Sequence, residues 1–497
     1  MIADGFTGRK GKGGFYRINR EAGKRKEAMD LGEGQYRPQR RAEVEAVAAA
    51  GRRLDRLLDH DSAHGRYAWR VLGSTLSYAC ALLGDAADEA DAIDEAMRLG
   101  YNWKSGPFEL IDQLGADWLI ARLEQHGQPV PETLRLAAGR SFYRVVDGRR
   151  QVLGLDGQYR DLVRAPGVLM LDDIKLRSQP VLKNASAALW DIGDGVACFE
   201  FTSKMNALDP DIMDLLGKSI RRVKKDFKAL VIYNEGSNFS VGANLGLALF
   251  AANIAAWPEI ENMVATGQST YRALKYAPFP VVAAPSGMAL GGGCEILLHS
   301  DAIQAHAETY VGLVEVGVGL IPGWGGCTEM LHRWASLGNL PRGPMPALGK
   351  AFELISTATV AKSAAEAREM LFLRPGDGIT MNRYRLLADA KARALDMVET
   401  YAPPPPPAYV LPGPSGRVAL EMAVAGFHRQ GKATDHDVVV SGALAEILSG
   451  GATDVTETLD ENALLELERA QFMRLVRHPG TLARVEHMLE TGKPLRN

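Results

Sequence analysis

Three stretches of the chain set small residues beside acids at spacings that could do chemistry. They read SNFSVGANL (237–245), SGMALGGGCEI (286–296) and GLVEVGVGLIPGWGG (312–326). Glycines that open a helix leave backbone N–H groups free and place them at the positive end of the helix dipole. Such a place can hold a phosphate or a developing oxyanion. The phosphate reading fails on detail: no Lys-Ser/Thr follows the glycines, and no Gly-x-Gly-x-x-Gly with a later acid is present. A carbonyl oxygen fits better. Glu295 falls two residues after the last glycine of Gly291–Gly293, in the first turn of the helix, and Glu315 arrives from a separate loop. Two carboxyls beside an oxyanion site could hold one water and divide the proton work. The helix terminus favours an ionised Glu295, whereas a more apolar setting would keep Glu315 protonated. The same residues leave a second reading open, in which the glycines only permit a tight strand–helix junction and both glutamates are solvated.

These loops need a scaffold, and the patterning supplies one. Ala188–Ile192 and Val196–Phe201 read as strands around an Asp194-Gly195 turn, and Asp209-Pro210 opens a helix. Lys228–Tyr233, Pro280–Ala284 and Asp301–Ala305 are further strands, so residues 187–400 form an α/β domain with right-handed crossovers. Ahead of it, residues 41–160 are all-helical. Ala68, Val71, Leu72, Thr75, Leu76, Ala79, Leu82 and Leu83 make a packed stripe. A second helix, Asp88 to Leu99, ends at Gly100 as a C-cap, and Gly106-Pro107 restarts a third. Residues 161–186 read as a linker, and 401–416 as a Pro-rich linker with Pro403–Pro407 in polyproline II. Residues 417–497 are a charged helical tail. Residues 1–40 are basic and glycine-rich, and GFYRI (14–18) recurs in altered form as SFYRV (141–145).

Composition narrows the function classes. Fifty-seven basic against sixty acidic residues give a net charge of −3, which implies no general pull toward nucleic acid or membrane. No apolar run approaches the roughly 18 residues of a membrane helix, and no secretory signal is expected from the basic N-terminus. Four dispersed cysteines suit reduced thiols, so a cytoplasmic protein is expected. His60 and His64 lie four apart, yet Asp61 and Ser62 between them suit a solvated turn, and no metal site is expected. Cys294 has no activating histidine close in sequence and reads as a buried filler. Trp324 could floor a pocket or pack the core.

The three loops together resemble the enoyl-CoA hydratase/isomerase (crotonase) superfamily, through GAN (242–244), GMALGGGCE (287–295) and EVGVGLIPGWGG (315–326). The resemblance implies that the N–H groups of Ala243 and Gly292 bind a thioester carbonyl, and that Glu295 and Glu315 are the two catalytic glutamates. It implies further that Lys204, Asn206, Ala207 and Leu208, with Gly242, Asn244, Leu245, Gly291 and Trp324, line the substrate and coenzyme A site. Isomerases of this family commonly keep only the second acid, so both together favour hydration of a trans-2-enoyl-CoA in fatty acid β-oxidation. Asn244 stands where Asp is frequent.

The helical block is similar to the C-terminal domain of 3-hydroxyacyl-CoA dehydrogenases, through DEAMRLGYNWKSGPFELIDQLG (94–115) and GRSFYR (139–144). Together with HMLETGKPLRN (487–497), it resembles the C-terminal portion of a bacterial bifunctional β-oxidation protein. The expected fold is multidomain: an all-α dehydrogenase-type domain, a crotonase (ββα spiral) domain and a helical C-terminal region. Residues 1–40 then read as the remnant of a first helical dehydrogenase domain. Hydration needs no cofactor beyond the coenzyme A thioester that carries the substrate. NAD would enter only with a missing or separately encoded dehydrogenase domain, and dehydrogenase activity is not expected of this chain alone. Candidate partners are the acyl-CoA, a thiolase subunit and a second copy of the chain; a non-catalytic assembly module is the remaining alternative.

Overall fold

A computed structural model describes every residue but Arg9, Lys24, Arg41 and Asn339. It divides into two compact units, Met1–Leu162 and Val163–Asn497.

The first unit begins with an antiparallel sheet of β1 (Tyr16–Asn19), β2 (Arg25–Met29) and β3 (Tyr36–Pro38). Seven helices follow: α1 (Glu45–Ala50), α2 (Leu54–Leu58), α3 (Ala63–Leu82), α4 (Ala90–Tyr101), α5 (Pro107–Leu114), α6 (Ala116–Gln125) and α7 (Glu132–Leu136). A second antiparallel sheet closes the unit, with β4 (Tyr143–Val146), β5 (Arg149–Leu153) and β6 (Tyr159–Asp161). The stripe read along residues 68–83 lies on α3, which Ser62 caps by accepting the Gly65 N–H. The end of α4 differs from expectation. Gly100 lies inside its last turn, and Asn102 terminates it in the left-handed region at φ 56°. An Asn side chain tolerates that conformation where most residues do not.

The repeated phrase is a repeated structure. In the first sheet Met29 N–H donates to Phe15 O, Tyr36 Oη to Gly14 O, and Arg17 stacks on the Tyr36 ring at 3.8 Å. In the second, Leu153 N–H donates to Phe142 O, Tyr159 Oη to Ser141 O, and Arg144 stacks on Tyr159 at 3.7 Å. Their surroundings differ. The N–H groups of Phe142 and Tyr143 donate to the Asp112 carboxylate on α5, Tyr143 Oη donates to Asp94 on α4, and Phe142 packs edge-on to Phe108. Phe142 is 1% exposed and Phe15 is 61% exposed.

The second unit opens with α8 (Leu171–Lys175) and β7 (Leu182–Lys183), so the stretch 161–186 carries structure of its own. It continues through β8 (Ala187–Asp191), β9 (Val196–Phe201), α9 (Pro210–Asp226), β10 (Ala229–Tyr233), α10 (Leu245–Asn253) and α11 (Trp257–Lys275). Next come β11 (Val281–Ala284), β12 (Met288–Leu290), α12 (Gly292–Leu298), β13 (Ala302–His306) and β14 (Tyr310–Gly312). Then follow α13 (Gly326–Ala335), α14 (Met345–Ser356), α15 (Ala364–Glu369), β15 (Gly378–Thr380) and α16 (Leu386–Val398). The last elements are β16 (Ala408–Tyr409), α17 (Gly413–Arg429), α18 (Asp435–Ser449), β17 (Leu459–Asp460), α19 (Glu461–Val476) and α20 (Pro479–Thr491).

Seven strands form one sheet in the order β15-β13-β11-β10-β9-β8-β7. The pairs from β9 to β15 are parallel, and β8 and β7 add antiparallel edges. Its strands are apolar on both faces, as a covered sheet requires. Leu189, Phe199, Leu230, Ile232, Val281 and Ala283 face the main core. Their neighbours Trp190, Cys198, Val231 and Val282 pack with Leu386, Leu387, Ala390 and Ala394 of α16. The C-terminal helices are not a tail. Val440, Leu444, Leu464, Met473 and Val485 belong to that same main core, and β16 pairs with β17.

The two copies of the Phe-Tyr-Arg sheet make opposite stability predictions. Phe142→Ala is expected to destabilise the first unit by about 3–5 kcal/mol, the usual cost of emptying a buried phenylalanine site. Phe15→Ala is expected to stay within about 0.5 kcal/mol, as surface changes do. Hydrogen exchange at the amides of α4 and α5, followed through urea, measures both.

Candidate active site

The site lies where loops after β10 and β11 meet. Asn234 fixes the first loop, since its Oδ1 accepts from Phe201 N–H and its Nδ2 donates to Phe239 O. Beyond it, Ser240 bridges to Ala289 and Ala243 bridges to Leu208, both in parallel sense. The second bridge uses Leu208 N–H to Gly242 O and Asn244 N–H to Leu208 O, at 2.9 and 3.0 Å. In a parallel bridge of this kind, Ala243's own N–H is turned away from Leu208, and it has no acceptor among the described residues. Gly291, at φ 55°, turns the chain from β12 into α12, and the N–H of Gly292 in the first turn of α12 likewise has no acceptor among the described residues. A Cβ on Gly242 would stand 3.4 Å from Gly292 N and 3.0 Å from Leu290 O. Only a bare backbone lets these strands approach so closely.

Both glutamates come to this point. A Cβ on Gly291 would stand 2.9 Å from Glu315 Oε1, and Glu315 Oε2 is buried with no hydrogen-bond partner. Glu295 is 2% exposed. Its Oε1 accepts from Trp324 N–H at 2.8 Å and Gly326 N–H at 2.9 Å. The donors to Glu295 belong to the start of α13, not to the glycines of its own helix. Nor is Glu295 held ionised. Burial pushes its carboxyl up to about 7, against the lowering by those two N–H groups. Glu315 lies well above the usual carboxylate range, through burial first and then the charge of Glu295. At Glu295 desolvation outweighs the helix terminus because the carboxyl lies out of water.

The other expected residues divide by position. Lys204 and Asn206 form a short 3₁₀ turn in which Met205 and Asn206 sit at φ 58° and 55°. Lys204 is exposed and Ala207 is partly buried. Asn206 Nδ2 donates to Asn238 O, and Asn206 O accepts from Ser240 Oγ, which ties this turn to the Ala243 loop. Asn244 caps α10 by accepting the N–H groups of Gly246 and Leu247, and Leu245 is that helix's first residue. Trp324 is buried behind the Gly292 N–H. Its ring blocks any Cβ on Gly292 and packs edge-on to Tyr271, whose hydroxyl donates to Gly292 O.

One acid was missed from sequence. Glu468 of α19 is fully buried and reaches the same loop, where it accepts from Gly325 N–H and Thr328 N–H. In the sequence it is one glutamate in a charged helical stretch. The only local signal is that it falls three residues after Leu465 and four after Leu464 on an amphipathic helix. All four cysteines are free and buried, and burial pushes the Cys294 thiol well above its ordinary value.

Two backbone N–H groups without an acceptor among the described residues, close to one buried and one half-buried carboxyl, make an arrangement capable of acid–base chemistry at a carbonyl. Residues 191–337 match the enoyl-CoA hydratase/isomerase family and residues 65–149 match the 3-hydroxyacyl-CoA dehydrogenase C-terminal domain. The chain thus carries an enoyl-CoA hydratase/isomerase (crotonase-type) domain, with a 3-hydroxyacyl-CoA dehydrogenase C-terminal domain ahead of it. A Bacillus subtilis (strain 168) protein described as a probable 3-hydroxyacyl-CoA dehydrogenase is 36% identical over 100% of this chain and 63% of its own length. A Rickettsia felis protein, provisionally described as a fatty acid oxidation complex trifunctional enzyme, is 36% identical over 67% of this chain and 43% of its own. This chain thus spans less than two thirds of either relative. A solved enoyl-CoA hydratase from Bacillus halodurans is 17% identical, covers 61% of this chain and 99% of its own, and has a TM-score of 0.42.

The raised Glu295 carboxyl makes stability depend on pH. Unfolded, the group ionises near its ordinary 4.5; folded, it stays protonated to about 7. Its contribution is therefore complete below about 4.5 and lost as pH rises through about 7. Urea unfolding of Glu295→Gln across this window is expected to show a flatter decline than the wild type.

Proposed function

We propose that this chain hydrates trans-2-enoyl-CoA to 3-hydroxyacyl-CoA. The observation that carries the reading is the buried Glu295 and the half-buried Glu315, whose Oε2 is out of water, beside the N–H groups of Ala243 and Gly292 that have no acceptor among the described residues. The thioester oxygen is held by Ala243 and Gly292 N–H. Glu295, the acid of lower affinity for its proton, takes a proton from water as that water attacks C3. Glu315, the acid that keeps its proton longer, delivers one to C2. Charge gathers on the thioester oxygen as the enolate forms, and each N–H donor is worth about 3–4 kcal/mol there by comparison with other oxyanion holes. Coenzyme A runs past Lys204–Leu208 and the Ala243–Leu245 segment. The retention of both acids favours hydration over isomerisation. The dehydrogenase in the name of the Bacillus relative is not proposed for this chain.

Glu295→Gln and Glu315→Gln are each expected to reduce kcat for crotonyl-CoA hydration by at least about 10³-fold while leaving binding of the saturated butanoyl-CoA within about threefold. The wild-type rate is expected to rise with pH through about 7, as Glu295 loses its proton, and to fall at higher pH as Glu315 loses its own. Near wild-type turnover in either variant would refute the assigned roles.

A further inference from the structure

Four residues at the start of α13 divide their backbone donors between two buried carboxyls. The N–H groups of Trp324 and Gly326 go to Glu295 Oε1, at 2.8 and 2.9 Å. The N–H of Gly325 goes to Glu468 Oε2 at 2.9 Å, and the N–H of Thr328 to Glu468 Oε1 at 2.8 Å. The Thr328 hydroxyl adds a second donor to that same oxygen, and a third to the carboxyl, at 2.6 Å. Donors alternate along 324, 325 and 326, so neither carboxyl can move without disturbing the backbone that serves the other.

We propose that Glu468, on α19, is a positioning residue of the hydration site: its grip on Gly325 and Thr328 fixes the Trp324 and Gly326 N–H groups that aim Glu295. The proposal rests on the role given to Glu295 above. Gly325 has little else to hold it. At φ 101° it occupies the left-handed region, and a Cβ there would stand 2.8 Å from the His299 ring, so no side chain can anchor the turn. A buried carboxyl is also a costly choice for a structural peg, because its ionised form must leave water. An apolar side chain or a hydroxyl would fill the place at lower cost. What a carboxyl adds is three strong acceptor bonds and a charge near the reacting acids. The titratable groups that feel this charge, or act on it, are Glu295, Glu315, Cys327 and Tyr409. Burial pushes Glu468 itself up to about 8, and its charge adds to the forces that keep the proton on Glu315.

The test uses the full chain with Glu468→Gln and Thr328→Val, and measures kcat and KM for crotonyl-CoA across pH. Glu468→Gln is expected to lower kcat by about 10- to 100-fold, the scale of loss from a small misplacement of a reacting group, with KM within about threefold. The alkaline limb of its pH profile is expected at lower pH, since Glu315 loses a repelling neighbour. Thr328→Val is expected to lower kcat less, and the Gly325 amide is expected to exchange faster in both variants. A folded Glu468→Gln with kcat within twofold and an unmoved alkaline limb would overturn the proposal. If Glu468→Gln does not fold, unchanged kcat and Gly325 exchange in Thr328→Val overturn it instead. A wild-type chain that does not hydrate crotonyl-CoA sinks the hydratase reading alone. Positioning is then decided by Gly325 exchange and by the infrared titration of the Glu295 carboxyl, with Glu295→Gln as the reference. An unmoved titration in Glu468→Gln would overturn it.

Discussion

Everything at the site depends on how a few backbone N–H groups are allotted. Two, on Ala243 and Gly292, have no acceptor among the described residues, the first turned away from its bridge to Leu208 and the second in the first turn of α12. Four at the start of α13, on Trp324, Gly325, Gly326 and Thr328, are claimed and shared between Glu295 and Glu468. Buried donors without partners are expensive, so a free pair persists only where the surrounding loops are rigidly held. Here the holding comes from close backbone approach at Gly242, Gly291 and Gly292, with Trp324 and Tyr271 packed behind.

Burial then sets the proton chemistry. A carboxyl at a helix terminus would ordinarily be an easy anion. Taken out of water it holds its proton more tightly, and two such groups close together hold theirs to different degrees. Glu295, with two N–H donors, and Glu315, with an unpartnered oxygen, differ in that direction. Two N–H donors hold down the proton affinity of the first, while burial and the charge of Glu295 raise that of the second, although the residue type is the same.

The C-terminal helices take part in the site through contacts distant in sequence. Glu468 grips the loop that aims Glu295. On α20, Thr481 Oγ1 donates to Gly319 O and Arg484 to Val316 O, which secures the 3₁₀ turn carrying Glu315. A stretch that reads locally as a charged helical tail therefore holds both acid-bearing loops, and its apolar side chains share the core of the α/β unit.

Much of this was legible in the chain by itself. Strand positions from Ala188 to Ala305 and the opening of α9 at Asp209-Pro210 followed from local patterning, because short continuous apolar runs and helix caps act over a few residues. The Phe-Tyr-Arg repeat was visible as sequence, and so were the glycine loops and the two glutamates. The amino acids alone left open whether those glutamates were solvated, and they gave no sign of the donors to Glu295. Its partners lie 29 and 31 residues away, and those of Glu468 lie 143 and 140 away. Local sequence determined which loops could expose N–H groups and which acids stood near them. Only the tertiary structure decided which groups meet, which are left free and which carboxyls are dry, because desolvation and hydrogen-bond allotment belong to the packed whole and to no single segment.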